Sequence, residues 1–385
     1  MSDMSFLERF LDGVAVEWKT LGEVCNGISS GKNKDKSEVG EFPVYGSTGI
    51  IGRTDNKVYD IEQILVARVG ANAGRVNIAQ GEYDVSDNTL IVQNKVNVVL
   101  KYLYYILVNM NLNQFAQGAG QQLITASQLK NIQIPVPPLA IQAEIVRILD
   151  TFTELTAELT AELTARQKQY EYYRDQLLTF GDEVPVMQLS YCCVSIADGD
   201  HQAPPQTNTG IPFITISNVS NSYQIDFTNT KFVSEAYYSE LDDKRKARKN
   251  DILYTVVGSF GIPVFINDNR KFTFQRHIAI LRSNGNVIIP KYLYHVLRSS
   301  DFLKQAHAVA VGAAQKTITL TALNRMKVPV PSLEEQARIV AILDKFDTLT
   351  NSISEGLPRE IALRQQQYEY YRDLLLSFPK AEEEQ

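Results

Sequence analysis

The sequence predicts an α+β protein: two mixed α/β domains in tandem, each followed by a long helix. The two helices are expected to pack as an antiparallel coiled coil with pseudo-two-fold symmetry. The first supporting observation is an internal repeat, the strongest organisational signal a sequence can carry. RQKQYEYYRDQLLTF (Arg166–Phe180) returns as RQQQYEYYRDLLLSF (Arg364–Phe378), identical at 12 of 15 positions. The second is that the segments upstream repeat in the same order. Ile134–Leu155 answers Val328–Leu349, KYLYYIL at Lys101 answers KYLYHVL at Lys291, and ILVARVG at Ile64 answers ILYTVVG at Ile252. The third is a helical stripe in each half. Ile141, Ile145, Ile148, Phe152, Leu155, Leu159 and Leu163 recur at steps of three and four, as do Ile339, Ile342, Phe346, Leu349, Ile353 and Leu357. Such spacing makes a coiled-coil seam. With a whole domain between the two helices of one chain, antiparallel pairing is the economical solution; burial of each stripe against its own domain is the alternative.

The expected domains are residues 1–137, a central helix at 138–183, a second domain at 184–331, and a helix with tail at 332–385. In the first domain FPVYGSTGIIGRT, QILVARVGANAGRVNIA and NTLIVQN read as strands and hairpins, because β-branched and aromatic runs alternate with Gly/Asn/Asp clusters. In the second domain PFITISNV, DILYTVVGSFGIPVFI and HIAILRS read the same way. A helix follows in each, near Lys101–Phe115 and Lys291–His307, then a last strand, IQIPVP or MKVPVP. The offset between halves grows from 188 at Leu65/Leu253 to 198 at Arg166/Arg364, so the second half has gained residues. The first long helix carries a tetrapeptide repeat, Thr153–Thr164, in which Thr156–Leu159 and Thr160–Leu163 are complete T-A-E-L units. Each unit lengthens a helix by ~6 Å and turns it ~40° beyond a full turn. The matching place in the second half holds Gly356-Leu357-Pro358, which predicts a continuous first helix and an interrupted second one.

Composition limits the function. Thirty-eight Lys+Arg against 44 Asp+Glu give a net charge of −6 across 385 residues. That excludes a chain gripping nucleic acid by itself over a broadly basic surface, though not binding through a local patch or beside a basic partner. Cys25, Cys192 and Cys193 make no disulfide framework and fit a reducing cytosol. The four histidines form no metal-ligand spacing. The N-terminus lacks a basic and apolar leader, and no apolar run approaches the ~20 residues of a membrane span. A cytoplasmic protein is expected. No phosphate loop, G-x-S-x-G elbow or H-E-x-x-H helix is present, and Gly70–Gly74 reads as a turn. Catalysis by this chain is not expected, and no catalytic residue or metal is assigned.

The domains do offer polar loops suited to DNA. In the first these are Lys32 and Lys34, then Tyr45, Ser47, Thr48 and Arg53 on a Gly-rich hairpin, then Arg68, Asn72, Arg75, Asn88, Gln121 and Gln122. In the second they are His201, Gln202, Thr215, Ser217, Asn218, Ser259, Arg276, His277, Gln315 and Lys316. Arg and Lys match guanine O6/N7, Asn and Gln match adenine N6/N7, and hydroxyls hold phosphates. The basic run at 243–249 could track a phosphate backbone or form a solvated face. The duplicated tyrosine block offers Tyr170, Tyr173, Arg174, Tyr368, Tyr371 and Arg372 as anchors for two copies of one partner. Packing of the two helices against each other is the other reading, and both can hold.

Two variable domains, each followed by P-x-P, L-x-x-Q-x-x-I-V-x-I-L-D and a long helix, resemble the specificity subunit of type I restriction-modification enzymes over essentially the whole chain. The T-A-E-L repeat with the R-Q-x-Q-Y-E-Y-Y-R-D block is similar to the type IC subgroup. The resemblance implies a non-catalytic subunit whose target recognition domains each read one half of a split double-stranded DNA sequence, with the helices fixing the gap. It implies two modification subunits, which bind S-adenosylmethionine and methylate adenine. It also implies two restriction subunits, which are ATP-driven translocating nucleases. This chain itself would bind no cofactor; S-adenosylmethionine, ATP and Mg would sit on the partners. A self-sufficient methyltransferase would need an N-P-P-Y or D-P-P-Y type motif, which is absent. A protein-only scaffold would show no sequence-specific DNA binding beside its modification partner.

Overall fold

The computed structural model describes residues 16–34, 37–118, 120–199, 204–219, 223–313, 315–352 and 354–378. The chain divides into two compact units, one of Met1–Glu158 with Ala362–Gln385 and the other of Leu159–Ile361. These units cut across the four expected segments, because each recruits a piece of both long helices.

In the first unit β1 (Glu17–Thr20), helix α1 (Leu21–Val24) and β2 (Cys25–Ser30) lead into β3 (Phe42–Gly46) and β4 (Gly49–Thr54). Next are β5 (Gln63–Ala67), β6 (Val76–Ala79), β7 (Asp84–Val85), β8 (Thr89–Asn94), α2 (Leu100–Asn109), α3 (Ala126–Lys130) and β9 (Gln133–Val136). They form a four-stranded sheet β2-β8-β5-β6, a three-stranded sheet β4-β3-β7, and an antiparallel β1-β9 pair. The run QILVA does not alternate, since β5 is covered on both faces. Ile64 and Val66 enter the main core, while Leu65 joins Tyr83, Val85 and Ile91 in a smaller one. The helix α4 (Leu139–Leu177) then runs unbroken through the T-A-E-L repeat. Its Ile145 and Leu149, at 0% exposure, share the main core of this unit with Leu375 and Leu376 at the end of the C-terminal helix and Phe378 just beyond it. Phe152 stacks on Tyr371 (ring centroids 5.4 Å).

The second unit repeats this plan. It comprises β10 (Val186–Gln188), α5 (Leu189–Cys192), β11 (Cys193–Asp198), β12 (Ile211–Ile214), β13 (Lys231–Val233), α6 (Glu235–Glu240), β14 (Ile252–Thr255) and β15 (Pro263–Phe265). Then come β16 (Thr273–Phe274), β17 (Ile278–Ser283), α7 (Pro290–Leu297), α8 (Ser300–Val309), α9 (Leu320–Arg325) and β18 (Lys327–Pro329). The sheets are β11-β17-β14-β15, β13-β12-β16 and β10-β18, strand for strand those of the first unit, down to the parallel pairs β3-β7 and β12-β16. The sequences of the two domains match only in outline; their topology matches throughout. Ile339 and Leu343 of α10 (Leu333–Asn351) occupy this unit's core beside Tyr170 of α4 and Leu178 just after it. Tyr173 stacks on Phe346 (5.7 Å). The fully buried Leu149 and Leu343 lie beside the expected stripes, so the first turns of each helix bury against their own domain; of the described stripe residues Ile145, Ile339 and Leu357 are buried and the others half-buried.

The second helix is interrupted as expected, but the break precedes the Gly-Pro pair. Helix α10 ends at Asn351, and α11 (Gly356–Leu376) starts at Gly356 with φ +78°. Pro358 falls in its first turn, where the missing N–H has no intrahelical partner to lose. The single helix expected near Lys291–His307 is instead two. Ser299 Oγ accepts the Phe302 N–H (3.2 Å) and starts α8, splitting the run. Arg298, at the split, lies over the rings of Tyr170 (4.6 Å) and Tyr223 (3.9 Å) and pairs with Asp347.

Nearby His295 is fully buried, with Nδ1 3.0 Å from Tyr170 Oη and Nε2 2.8 Å from Asp344 Oδ1. Burial holds its pKa below the usual histidine value against the opposing pull of Asp344. The fitting state is a neutral ring, with Nε2–H donating to Asp344 and Nδ1 accepting from Tyr170. The unfolded chain takes up a proton near 6.5 that the fold disfavours. This stabilisation is therefore complete above that pH and declines below it. Thermal melts on both sides of pH 6.5 should show a steeper acid-side decline in the natural protein than in His295→Asn; equal slopes would refute the assignment.

Candidate nucleic-acid interface

In the first unit four loop segments are joined by backbone hydrogen bonds. After β2 the chain passes close to residues 84–87: Gly31 N–H donates to Thr89 O (3.0 Å), Asn33 N–H to Val85 O (3.0 Å) and Asp87 N–H to Asn33 O (3.1 Å). A Cβ at Gly31 would stand 2.3 Å from Val85 O, so the approach requires glycine. Lys32 and Lys34 flank the anchored Asn33 and are exposed. Arg68 N–H donates to Asn88 O (2.9 Å), and its Nη1 reaches Ser30 Oγ (3.3 Å). Gly70 N–H donates to Gln122 O (2.9 Å), tying the 70–75 turn to the 117–123 loop. Lys32, Lys34, Arg68, Asn72, Arg75, Asn88, Gln121 and Gln122 thus belong to one connected group of loops. The Gly70–Gly74 run is a turn, as read from sequence.

The hairpin adjoins this group through Tyr45, whose carbonyl accepts the Ser86 N–H (2.8 Å). Tyr45 packs edge-on against Tyr83 (5.4 Å) and lines a cavity of about 320 Å³ with Lys101, Tyr105 and Asp150. Ser47 and Thr48 sit at the β3–β4 tip, next to Gly49 on the same cavity. Arg53 braces its own hairpin, with Nε on Gly40 O (2.6 Å) and Nη2 on Glu41 O (2.5 Å). Arg53 is thus bonded to its own hairpin through Nε and Nη2 while remaining exposed, and Tyr45 is half-buried.

The second unit builds the same group. A Cβ at Gly199 would stand 2.0 Å from Phe274 O, Val256 N–H donates to His277 O (2.9 Å), and Gly258 N–H donates to Lys316 O (3.0 Å). Ser259, Arg276, His277, Gln315 and Lys316 lie on these loops. Burial and the adjacent Arg276 hold the His277 pKa below its ordinary value, so it is neutral at pH 7. Thr215, Ser217 and Asn218 do not belong. Asn218 is buried, accepts from Thr215 N–H (2.9 Å) and Oγ1 (2.8 Å), and donates to Asn229 O (2.9 Å), while Thr215 Oγ1 also meets Ser217 Oγ (2.7 Å). These residues close a turn, as polar loop residues often do. His201 and Gln202 lie outside the described residues. In the 243–249 run Lys244 pairs with Asp242 (3.1 Å), Arg245 with Asp198 (3.8 Å) and Arg248 with Asp243, so much of its charge is locally balanced.

The tyrosine block is mostly internal. Tyr170 and Arg174 are 2% and 5% exposed within the second unit, which removes them as surface anchors. Tyr173 and Tyr371 stack on Phe346 and Phe152, and Tyr368 packs against the first core with Arg372 over its ring (5.8 Å). The most exposed rings are Tyr172 (59%) and Tyr370 (64%), one matched position in the two copies, and Tyr173 is 40% exposed despite its stacking. Helical periodicity separates them: Tyr170 and Tyr173 lie three apart on the seam face and Tyr172 lies off it. The cysteines offer no nucleophile, since burial pushes Cys25 up to about 12 and Cys192 to about 11.

The family model described as the type I restriction modification DNA specificity domain matches twice, over residues 14–166 and 201–363. The chain belongs to this family. It is a specificity subunit of type I restriction-modification systems, a non-catalytic DNA-recognition component with two tandem target recognition domains. The Escherichia coli EcoR124I/EcoR124II specificity subunit is 39% identical, with 99% of both chains covered. A Haemophilus influenzae protein assigned to the same class is 33% identical over 98% of this chain and 99% of its own. The crystal structure of the Mycoplasma genitalium S subunit shares the fold, with a TM-score of 0.60 at 18% identity over 96% of this chain and 98% of that one. No helix among the described residues of the specificity subunit is long and apolar enough to cross a membrane.

Proposed function

We propose that each recognition domain of this specificity subunit reads one half of a bipartite double-stranded DNA target through its loop group, and that the long helices set the gap between the halves. The observation that carries this reading is that the same backbone-bonded loop group is built twice, on matching topology, with different polar side chains at its surface. In this reading two modification subunits carrying S-adenosylmethionine and two restriction subunits carrying ATP and Mg complete a cytoplasmic assembly. The matched exposed rings Tyr172 and Tyr370 support two equivalent docking sites for one partner.

A net charge of −6 makes the modification subunits the main source of phosphate neutralisation. The isolated chain should bind DNA weakly, and a tight, salt-resistant complex without partners would contradict that division of labour. The decisive experiment is methylome sequencing of a strain expressing this chain with its modification subunit. A two-part consensus with a fixed gap is expected; a continuous site, or methylation without consensus, would overturn the proposal.

A further inference from the structure

The described residues of the loops at 117–123 and 311–317 make the same backbone bonds in both units. In the first, Gln117 and Leu123 exchange backbone bonds of 3.0 and 2.9 Å; in the second, Val311 and Thr317 exchange bonds of 2.9 and 2.8 Å. Gly118 (φ +126°) and Gly312 (φ +115°) turn both loops, and a Cβ on either would stand 2.4 Å from the carbonyl oxygen of Gln121 or Gln315. The next residue's carbonyl is fixed to the neighbouring turn in both, at 2.9 Å from Gly70 N and 3.0 Å from Gly258 N. The backbone at Gln121 and at Gln315 is therefore set to the same place within its own unit, and both side chains are exposed.

A backbone-bonded loop presenting an exposed neutral amide is poorly suited to phosphate, which is held more strongly by cations. It is well suited to a base edge, because one amide offers a donor and an acceptor side by side. In the major groove that pair matches adenine N6–H and N7. The residue after each glutamine differs: Gln122 accepts from Asn113 Nδ2 (3.2 Å), while Lys316 is an exposed cation.

We propose that Gln121 and Gln315 are equivalent specificity-determining residues, each reading an adenine at the corresponding position of its own half-site, while Gln122 and Lys316 make the halves differ. This rests on the bipartite reading above. The test uses the full chain with its modification subunit, measuring binding to four duplexes that differ only at the candidate position, alongside the methylome. The natural complex should favour adenine by roughly ten- to hundredfold. Gln121→Ala should reduce that preference to within about twofold in one half-site, and Gln315→Ala in the other, because the bidentate pair is lost. Gln121→Glu should shift the preference towards cytosine, whose N4–H₂ a carboxylate accepts. A uniform drop across the four duplexes, an unchanged consensus, or relaxation at a base other than adenine would overturn the proposal. If the natural complex itself shows no two-part consensus, the underlying reading fails instead.

Discussion

Deleting Thr160–Leu163 is expected to leave both half-sites intact and change the distance between them. Helix α4 is continuous from Leu139 to Leu177, and the boundary between the two compact units falls inside the repeat, between Glu158 and Leu159. The repeat suits a removable segment. Its leucines recur every fourth residue at half-buried positions, and Thr153, Thr156 and Thr164 each bond the carbonyl four residues back, at 3.0, 2.8 and 3.0 Å. Removing one unit preserves helical bonding while shortening the axis by ~6 Å and rotating the remainder of the helix by ~40°. Against ~3.4 Å per base pair, the gap in the target should shorten by about one or two base pairs. Methylome sequencing of the deletion strain gives the answer directly, and an unchanged gap would refute a ruler role for α4. The matching place in the second half, where α10 ends at Asn351 and α11 begins at Gly356, has no such repeat to delete, so the expected adjustable element is in α4.

The largest loss of stability is expected from Gln142→Ala and Gln336→Ala. Both glutamines are 0% exposed. Gln142 Oε1 accepts the Val99 N–H (2.8 Å), and its Nε2 donates to Pro137 O (2.8 Å) and Asn97 O (3.4 Å). Gln336 does the same for Ile289 N–H (2.8 Å), Pro331 O (2.9 Å) and Val287 O (3.1 Å). Val99 and Ile289 are the N-caps of α2 and α7, and neither has a side-chain cap of its own. One buried amide thus ties the start of a domain helix to the start of the long helix. Truncation leaves buried polar groups unsatisfied at ~1–3 kcal/mol each, so a loss of about 3–5 kcal/mol is expected. That is a large part of the ~5–15 kcal/mol that stabilises a domain. Gln→Met, which keeps the volume, should lose nearly as much. Urea titrations check this, and a loss under about 1 kcal/mol in either variant would show that the amide is dispensable.

Much of the fold was legible because hydrophobic pattern reports it. The hairpin at Phe42–Thr54 and the central strands at Ile64 and Ile252 were readable as β-branched runs between turn residues. The repeat indicated that the second domain would copy the first. The L-x-x-Q motif was equally visible, yet its glutamine reads as an ordinary polar residue until three backbone groups are seen to converge on it. The loop residues were harder for the same reason. Asn218 and Gln121 are both polar amides in loop segments; one closes its own loop and the other faces solvent, and residue type does not distinguish them. Tyr170 and Tyr172 could be separated by periodicity alone, whereas the packing of Tyr170 with His295 and Arg298, more than a hundred residues away, has no local signature.

The core of the first unit includes Leu375 and Leu376 from α11 and Phe378 just beyond it. During synthesis the ribosome makes the first recognition domain early and delivers these three side chains more than two hundred residues later. At ~5–20 residues per second the unfinished core waits for roughly ten seconds or more with its apolar face uncovered. Over that interval the nascent chain must be kept from misassociation, and a message truncated near its end leaves the first-made domain, rather than the last-made one, incomplete.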